Sequence, residues 1–234
     1  MRIVGGRLGG RTLAAPKLQA TSTVARTGAS PTRRHGPQPA THREPFPLTH
    51  APIRPTSDRL RESLFNILLH SYGDPVSGGR VLDLFAGTGA LGLEAMSRGA
   101  AFALFIDDAA EARALIRANV AALGLGGTTK IFRRDATQLG PVHPLQPFTL
   151  AFLDPPYRRG LAERALDALT AGGWLAPGAL VVVEEAADAA FAPPPEVNGF
   201  AEIAEIERRR YDDSELTFLR RRSATLEPPV PSPR

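Results

Sequence analysis

Two stretches of this sequence combine carboxylates, glycines and rigid turns in a way that suits chemistry on a small polar group. The first is Asp83-Leu84-Phe85-Ala86-Gly87-Thr88-Gly89-Ala90-Leu91-Gly92, an acid inside an apolar run followed by three glycines. Glycine lets a backbone pass close under a ligand and adopt positive φ without a Cβ clash. Gly87, Gly89 and Gly92 also satisfy the dinucleotide-loop spacing, with Asp107 at the expected distance beyond, so this stretch alone leaves a nicotinamide-linked enzyme open. Asp83 points elsewhere, because a carboxylate there repels a pyrophosphate and suits the ammonium group of a zwitterionic amino acid.

The second stretch is Asp154-Pro155-Pro156-Tyr157, directly after the apolar run 148–153. Two prolines fix φ and remove two backbone donors, leaving a stiff corner of carbonyl acceptors beside a carboxylate. Such a corner accepts hydrogen bonds from an –NH2 group, and Tyr157 offers a face on which a base can stack. Acceptors aimed at an exocyclic amine draw its lone pair out of the ring and stabilise positive charge developing on nitrogen. The plain alternative is a proline turn with no ligand. Two further acids end predicted strand segments: Asp107 after 103–106, suited to a pair of ribose hydroxyls, and Asp135 after 130–134, suited to an adenine amine. Helix capping alone also favours Asp at such places.

The elements that must position these groups alternate. Pro55 and Ser57 open a helix to about residue 70, with Leu60, Leu64, Ile67 and Leu68 on one face. Strands are predicted at 80–85, 102–107, 129–133, 148–153 and 179–184, and helices at about 90–98, 109–123 and 160–171. That order implies an α/β fold with a mainly parallel sheet covered on both faces, where ligands bind at the carboxyl ends of the strands. Residues 200–210 and 215–221, around Tyr211-Asp212-Asp213-Ser214, read as a closing antiparallel hairpin.

Composition bounds the rest. With no cysteine among 234 residues, disulfides and thiolate metal sites are excluded, and His35, His42, His50, His70 and His143 lack metal-ligand spacing, so no metal is expected. No apolar run reaches the roughly 20 residues that span a bilayer. The start Met1-Arg2-Ile3-Val4-Gly5-Gly6 does not resemble a signal-peptide core, and the cytoplasm is the default compartment. Residues 1–54 carry eight arginines and Lys17 against Glu44, a net +8, while the remainder is mildly acidic. A basic arm of that kind suits a polyanion, and arginine-rich composition in general is the bland alternative. Residues 1–16 read as a small hairpin or glycine-rich basic arm. Residues 17–53, rich in Pro, Thr, Ser and Arg, are expected to be a disordered insert that tunes polyanion affinity, and the tail 223–234 is expected to be unstructured.

The two stretches resemble the motifs of class I methyltransferases, which have a Rossmann-like fold with a seven-stranded, mostly parallel sheet. Asp154-Pro155-Pro156-Tyr157 is similar to their amine-methylating signature. Met1-Arg2-Ile3-Val4-Gly5-Gly6-Arg7, Gly10-Arg11 and Arg54-Pro55-Thr56-Ser57-Asp58-Arg59-Leu60-Arg61-Glu62-Ser63-Leu64-Phe65-Asn66 narrow the resemblance, together with Asp83–Ala95. They are similar to the RsmD family of bacterial 16S rRNA guanine-N2 methyltransferases. The resemblance implies transfer of one methyl group from S-adenosyl-L-methionine to a guanine amine, guanine 966, in 16S rRNA of the 30S subunit or its assembly intermediates, by a monomer. It implies that Asp83, Phe85, Ala86, Gly87 and Gly89 hold the methionine end, Asp107 the ribose, and Asp135 with Ala136 the adenine. Asp154, Pro155 and Pro156 then orient the guanine amine while Tyr157 stacks, and Arg7, Arg11, Arg54, Arg59 and Arg61 contact RNA. Arg59 or Arg61 also reads as an ordinary helix-surface charge. This chain departs from the family in its long 17–53 stretch and in carrying Asp212, where the family tends to place glycine after the aromatic residue. Other nucleic-acid amino-methyltransferases, among them DNA adenine methyltransferases, share the amine-binding signature, as does a glutamine methyltransferase acting on a release factor, although that last family usually begins it with Asn. A non-catalytic RNA-binding relative is the third reading.

Overall fold

The computed structural model describes residues 1–16, 57–193 and 203–222, with the side chains of 203–205 left aside. The expected insert, Arg54 and the expected tail lie outside these residues. Seven strands form one sheet: β1 (Arg80–Leu84), β2 (Phe102–Ile106), β3 (Thr129–Phe132), β4 (Phe148–Leu153), β5 (Leu175–Ala186), β6 (Ile203–Tyr211) and β7 (Ser214–Arg221). Their order is β3-β2-β1-β4-β5-β7-β6. The first five strands pair in parallel, and β7 lies antiparallel between β5 and β6. This is the Rossmann-like sheet expected from the alternation of segments.

The apolar runs divide by side-chain alternation. Val81, Ala103, Phe105, Leu150 and Phe152 pack on one face with α1 (Asp58–Ser71), α2 (Ala90–Ser97) and α3 (Ala110–Leu123). Leu82, Leu84, Leu104, Ile106 and Ala151 pack on the other with α4 (Leu161–Ala171) and Trp174. Both faces are buried, which is why these strands read as continuous apolar runs. Ser57 caps α1 by accepting a hydrogen bond from the Leu60 amide at 3.1 Å, so the helix begins after Pro55 rather than at it. Strand β5 starts four residues earlier than expected. Its pairing with β4 jumps from Phe148↔Leu175 to Leu150↔Leu180, so Pro177 and Gly178 are absorbed in an irregularity of the ladder. At the β6–β7 turn Asp212 sits at φ 44°, the left-handed region that glycine enters freely and Asp tolerates better than most residues.

Residues 1–16 form a compact hairpin with a short 3-10 turn at Gly6–Leu8 and an Arg2↔Thr12 bridge. Ile3, Leu8 and Leu13 are buried in the α1–α3 face of the core. The hairpin runs alongside α2. Its Gly5–Leu8 turn meets Ser97, whose hydroxyl donates to the Gly5 carbonyl at 2.5 Å and accepts from the Leu8 amide at 2.9 Å. Backbone contact with the Ser97 carbonyl leaves no room for a Cβ at Gly6, which accounts for the second glycine of the pair near the start.

Gly92 is the tightest position in the sheet–helix interface near the site. A Cβ there runs into the fully buried Phe105 ring and comes within 3.0 Å of Asp83 Oδ2. Alanine gains about 1 kcal/mol of helix propensity, against roughly 1–3 kcal/mol for overpacking a rigid core. Gly92→Ala is therefore expected to lower stability, by about 1 kcal/mol or more, in urea unfolding. A variant as stable as the parent would show that Phe105 yields.

Candidate active site at the carboxyl ends of the strands

The strand order reverses between β1 and β4, and both motifs leave the sheet there. The ladder ends at Leu84↔Leu153, so Phe85 and Asp154 are the next residues on adjacent strands. The turn after β1 is held in an unusual conformation. Phe85 (φ 56°), Gly87 (φ 54°) and Gly89 (φ 78°) all take positive φ, and Gly89 opens α2. For Phe85 this is a strained state that a non-glycine residue keeps only where its surroundings impose it. Two acids provide that restraint. Asp107 Oδ2 accepts from the Gly87 amide at 2.9 Å, and its Oδ1 accepts from the Ala109 amide at 2.8 Å. Asp83 Oδ2 accepts from the Gly92 amide, also at 2.9 Å.

Asp83 is 2% exposed, and burial pushes its carboxyl up to about 8, with the Asp107 charge adding to the rise. The Asp107 carboxyl is also raised, by burial, and held back by the Gly87 and Ala109 amides. A buried acid of this kind becomes ionised readily when a cation arrives. Asp135 is exposed and uses Oδ1 to cap its own turn, accepting from the Thr137 amide and hydroxyl, both at 2.8 Å. Ala136 beside it is 4% exposed. Asp135, Asp107 and Asp154 thus follow the ends of β3, β2 and β4, and Asp83 lies within the neighbouring β1, one residue before its end.

Beyond Asp154, Pro155 is buried and Pro156 and Tyr157 are half-buried. Tyr157 is anchored from outside the motif. Its hydroxyl donates to Glu184 Oε1 at 2.9 Å and lies 3.0 Å from Ser214 Oγ, which donates to the same carboxylate at 3.2 Å. Burial first, and then the Glu184 charge, hold the phenol above its ordinary range, so it stays a neutral donor. The next amide, of Arg158 at φ 61°, donates to Glu185 Oε1 at 2.9 Å. Neighbouring carboxylates at the end of β5 therefore grip successive residues of the corner. Glu184, Glu185 and Ser214 were not singled out from sequence. The only signal was a pair of acids ending an apolar strand, which local reading cannot match to a tyrosine 27 residues away.

Residues 42–220 match the model of a protein family described as conserved hypothetical protein 95. The chain belongs to that family. It is the RsmD family expected from the sequence. Among curated relatives it is 44% identical over 133 residues to ribosomal RNA small subunit methyltransferase D of Escherichia coli. That match covers 56% of this chain and 64% of the relative, so the chain spans less than two thirds of the relative's length. The solved structure of yhhF from Escherichia coli superposes with a TM-score of 0.68 at 29% identity, over 95% of this chain and 98% of that one. The fold is also that of the Thermus thermophilus 16S rRNA N2 G1207 methyltransferase, solved with AdoMet and guanosine. It has a TM-score of 0.54 at 22% identity, over 76% of this chain and 45% of that one.

Within this family member the basic residues expected to face RNA separate into different environments. Arg7, Arg11 and Arg59 are exposed, whereas Arg54 lies outside the described residues. Arg7 belongs to the hairpin turn at the Ser97 end of α2, roughly 12 Å along an eight-residue helix from the glycine turn. Arg61 is a correction. It is 0% exposed, donating to the Arg2 carbonyl and to Asp58 Oδ1 at 2.7 Å, so it ties the hairpin to α1 and cannot reach a surface ligand. It was expected as an RNA contact or a helix-surface charge, but the hairpin that covers that side of α1 is distant in sequence.

Two measurements follow from these environments. In unfolded chain Asp83 ionises near pH 4, while in the fold it stays protonated to about pH 8. Its cost to folding therefore grows between those limits and is absent below them. Asp83→Asn is expected to melt higher than the parent at pH 8, with the gap closing toward pH 4. A gap independent of pH would contradict this. Tyr157→Phe keeps the ring but removes its bonds to Glu184 and Ser214, and is expected to cost about 1–2 kcal/mol in urea unfolding. Unchanged stability would mean that the hydroxyl does not hold the corner.

Proposed function

We propose that the protein is an S-adenosyl-L-methionine-dependent methyltransferase that modifies the N2 amine of a guanine, guanine 966, in 16S rRNA. Its substrate is the 30S subunit or an assembly intermediate, and it acts as a cytoplasmic monomer. The observation that carries this reading is the adjacency of the glycine turn and the Asp154–Tyr157 corner across the β1–β4 ladder. Membership of a family with a curated relative named ribosomal RNA small subunit methyltransferase D supports the choice of rRNA.

The residues suit the cofactor. A buried Asp83 under a positive-φ turn, protonated when alone and ionised by an arriving cation, fits an ammonium group, with Phe85, Ala86, Gly87 and Gly89 lining the methionine end. Asp107 fits the ribose, and Asp135 with Ala136 fits the adenine. When bound, the cofactor supplies an activated methyl group on a sulfonium. The chain's own residues supply alignment. The Asp154 carboxylate and the Pro155 carbonyl accept from the guanine amine, which raises the availability of its lone pair, and Pro156 keeps the corner stiff. Tyr157, with its hydroxyl already engaged, presents its ring for stacking of a base taken out of its helix, worth roughly 1–3 kcal/mol. Positive charge on nitrogen makes the amine acidic after transfer, so Asp154 need not be a strong base. Arg7, Arg11 and Arg59 grip phosphates, and Arg54 joins them by position in the sequence.

Asp154→Ala is expected to leave cofactor affinity near that of the parent and to lower methyl transfer to 30S subunits about 100-fold or more. Mass spectrometry of the 16S rRNA locates the modified nucleotide. Parent-level transfer by this variant would remove the assignment, and transfer to a release-factor glutamine instead of rRNA would replace it.

A further inference from the structure

The hairpin of residues 1–16 is joined to the glycine turn through a side chain that neither motif contains. Asn119, on α3, is 2% exposed. Its Nδ2 donates to the Thr88 carbonyl at 3.0 Å and to the Ala14 carbonyl at 3.2 Å, and its Oδ1 accepts from the Ala14 amide at 2.7 Å. Two carbonyls and one N–H converge on the group, so a carboxamide fits them and a carboxylate or an aliphatic side chain does not. Thr88 needs such a partner. It stands between Gly87 and Gly89, both at positive φ, where backbone freedom is greatest. Its hydroxyl reaches the sulfur of Met1 at 3.7 Å, and the Met1 carbonyl accepts from the Leu13 amide at 3.1 Å, closing the hairpin beside the turn.

The hairpin is itself held firmly. Glu94 is fully buried and accepts from the Val4 amide at 2.7 Å, the Gly5 amide at 2.8 Å and Arg98 Nε at 2.7 Å. Ser97 grips the far turn, and Ile3, Leu8 and Leu13 are buried. Glu94 and Ser97 belong to α2, the helix that the glycine turn opens. Turn, helix and hairpin therefore form a closed ring of contacts with Asn119 as the link.

We propose that Asn119 is a positioning residue for the Gly87–Gly89 turn and that the hairpin is its second anchor, so that ligand binding at the turn and docking of the hairpin are thermodynamically linked. The inference rests on the reading of the turn as the S-adenosylmethionine site. Ordering one member of the ring favours the other, and the coupling is the same in both directions.

The probe is S-adenosylhomocysteine, with affinity measured by calorimetry and amide exchange followed at residues 1–16. In the parent, the ligand slows exchange of the hairpin amides of Val4, Gly5, Leu8 and Ala14. Asn119→Ala weakens binding about tenfold and abolishes that slowing. Ala14→Pro deletes the donor to Asn119 from the hairpin side, at an exposed side chain, and produces the same loss. The double variant binds no more weakly than either single one. Parent-like affinity in both variants, additive losses, or hairpin exchange indifferent to ligand would overturn the linkage while leaving the cofactor assignment standing. If Asn119→Ala does not fold, Ala14→Pro decides alone. A parent that fails to bind S-adenosylhomocysteine overturns the cofactor assignment, and the linkage with it.

Discussion

Parallel pairing of β1 with β4 is the constraint from which the site derives. The two strands are far apart in sequence, with β2 and β3 and their helices between them, yet they run in register from Val81↔Leu150 to Leu84↔Leu153. Because both strands point the same way, both following turns emerge on one edge. A right-handed crossover on either side of this switch diverges, and a crevice opens at the divergence. A register slip of one residue would turn Asp83 to the other face of the sheet and carry its carboxylate away from Gly92.

Around that edge the chain uses acids as backbone clamps. Asp107 and Asp83 hold the glycine turn by its amides, and Glu184 and Glu185 hold the proline corner by a phenol and an amide. Phe85 and Arg158, both non-glycine residues at positive φ, flank the segments so held. Strained backbone beside a site persists only where the surroundings over-determine it, and here each strained residue has a carboxylate bond on its own amide or on one close by.

Burial of several carboxyls near one crevice has a cost. Desolvation raises Asp83, Asp107 and Glu185 above the ordinary carboxylate range. All three forgo hydration that they enjoy in the unfolded chain, and Asp83, protonated up to about pH 8, avoids the larger cost of a buried ion below that pH. Such an arrangement trades stability for a site ready to accept positive charge. Its cost is offset by the continuous apolar packing on both faces of the sheet, where Phe105, Phe148, Phe152 and Phe218 are fully buried.

The sequence by itself determined the sheet, the helices and the two motifs, because these depend on short-range signals. Apolar runs bounded by glycine and proline mark strands, and the acids ending them mark the functional edge. Tertiary structure alone decided the partners. Arg61, expected as an RNA contact or a helix-surface charge, is buried by a hairpin that local periodicity cannot foresee, and no role was expected of Glu184, Ser214 or Asn119. Glu184, Ser214 and Asn119 make their decisive hydrogen bonds to residues at least 27 positions away. Such pairings are created by strand order and helix packing, which bring distant side chains within 3 Å or so only after the whole sheet has closed.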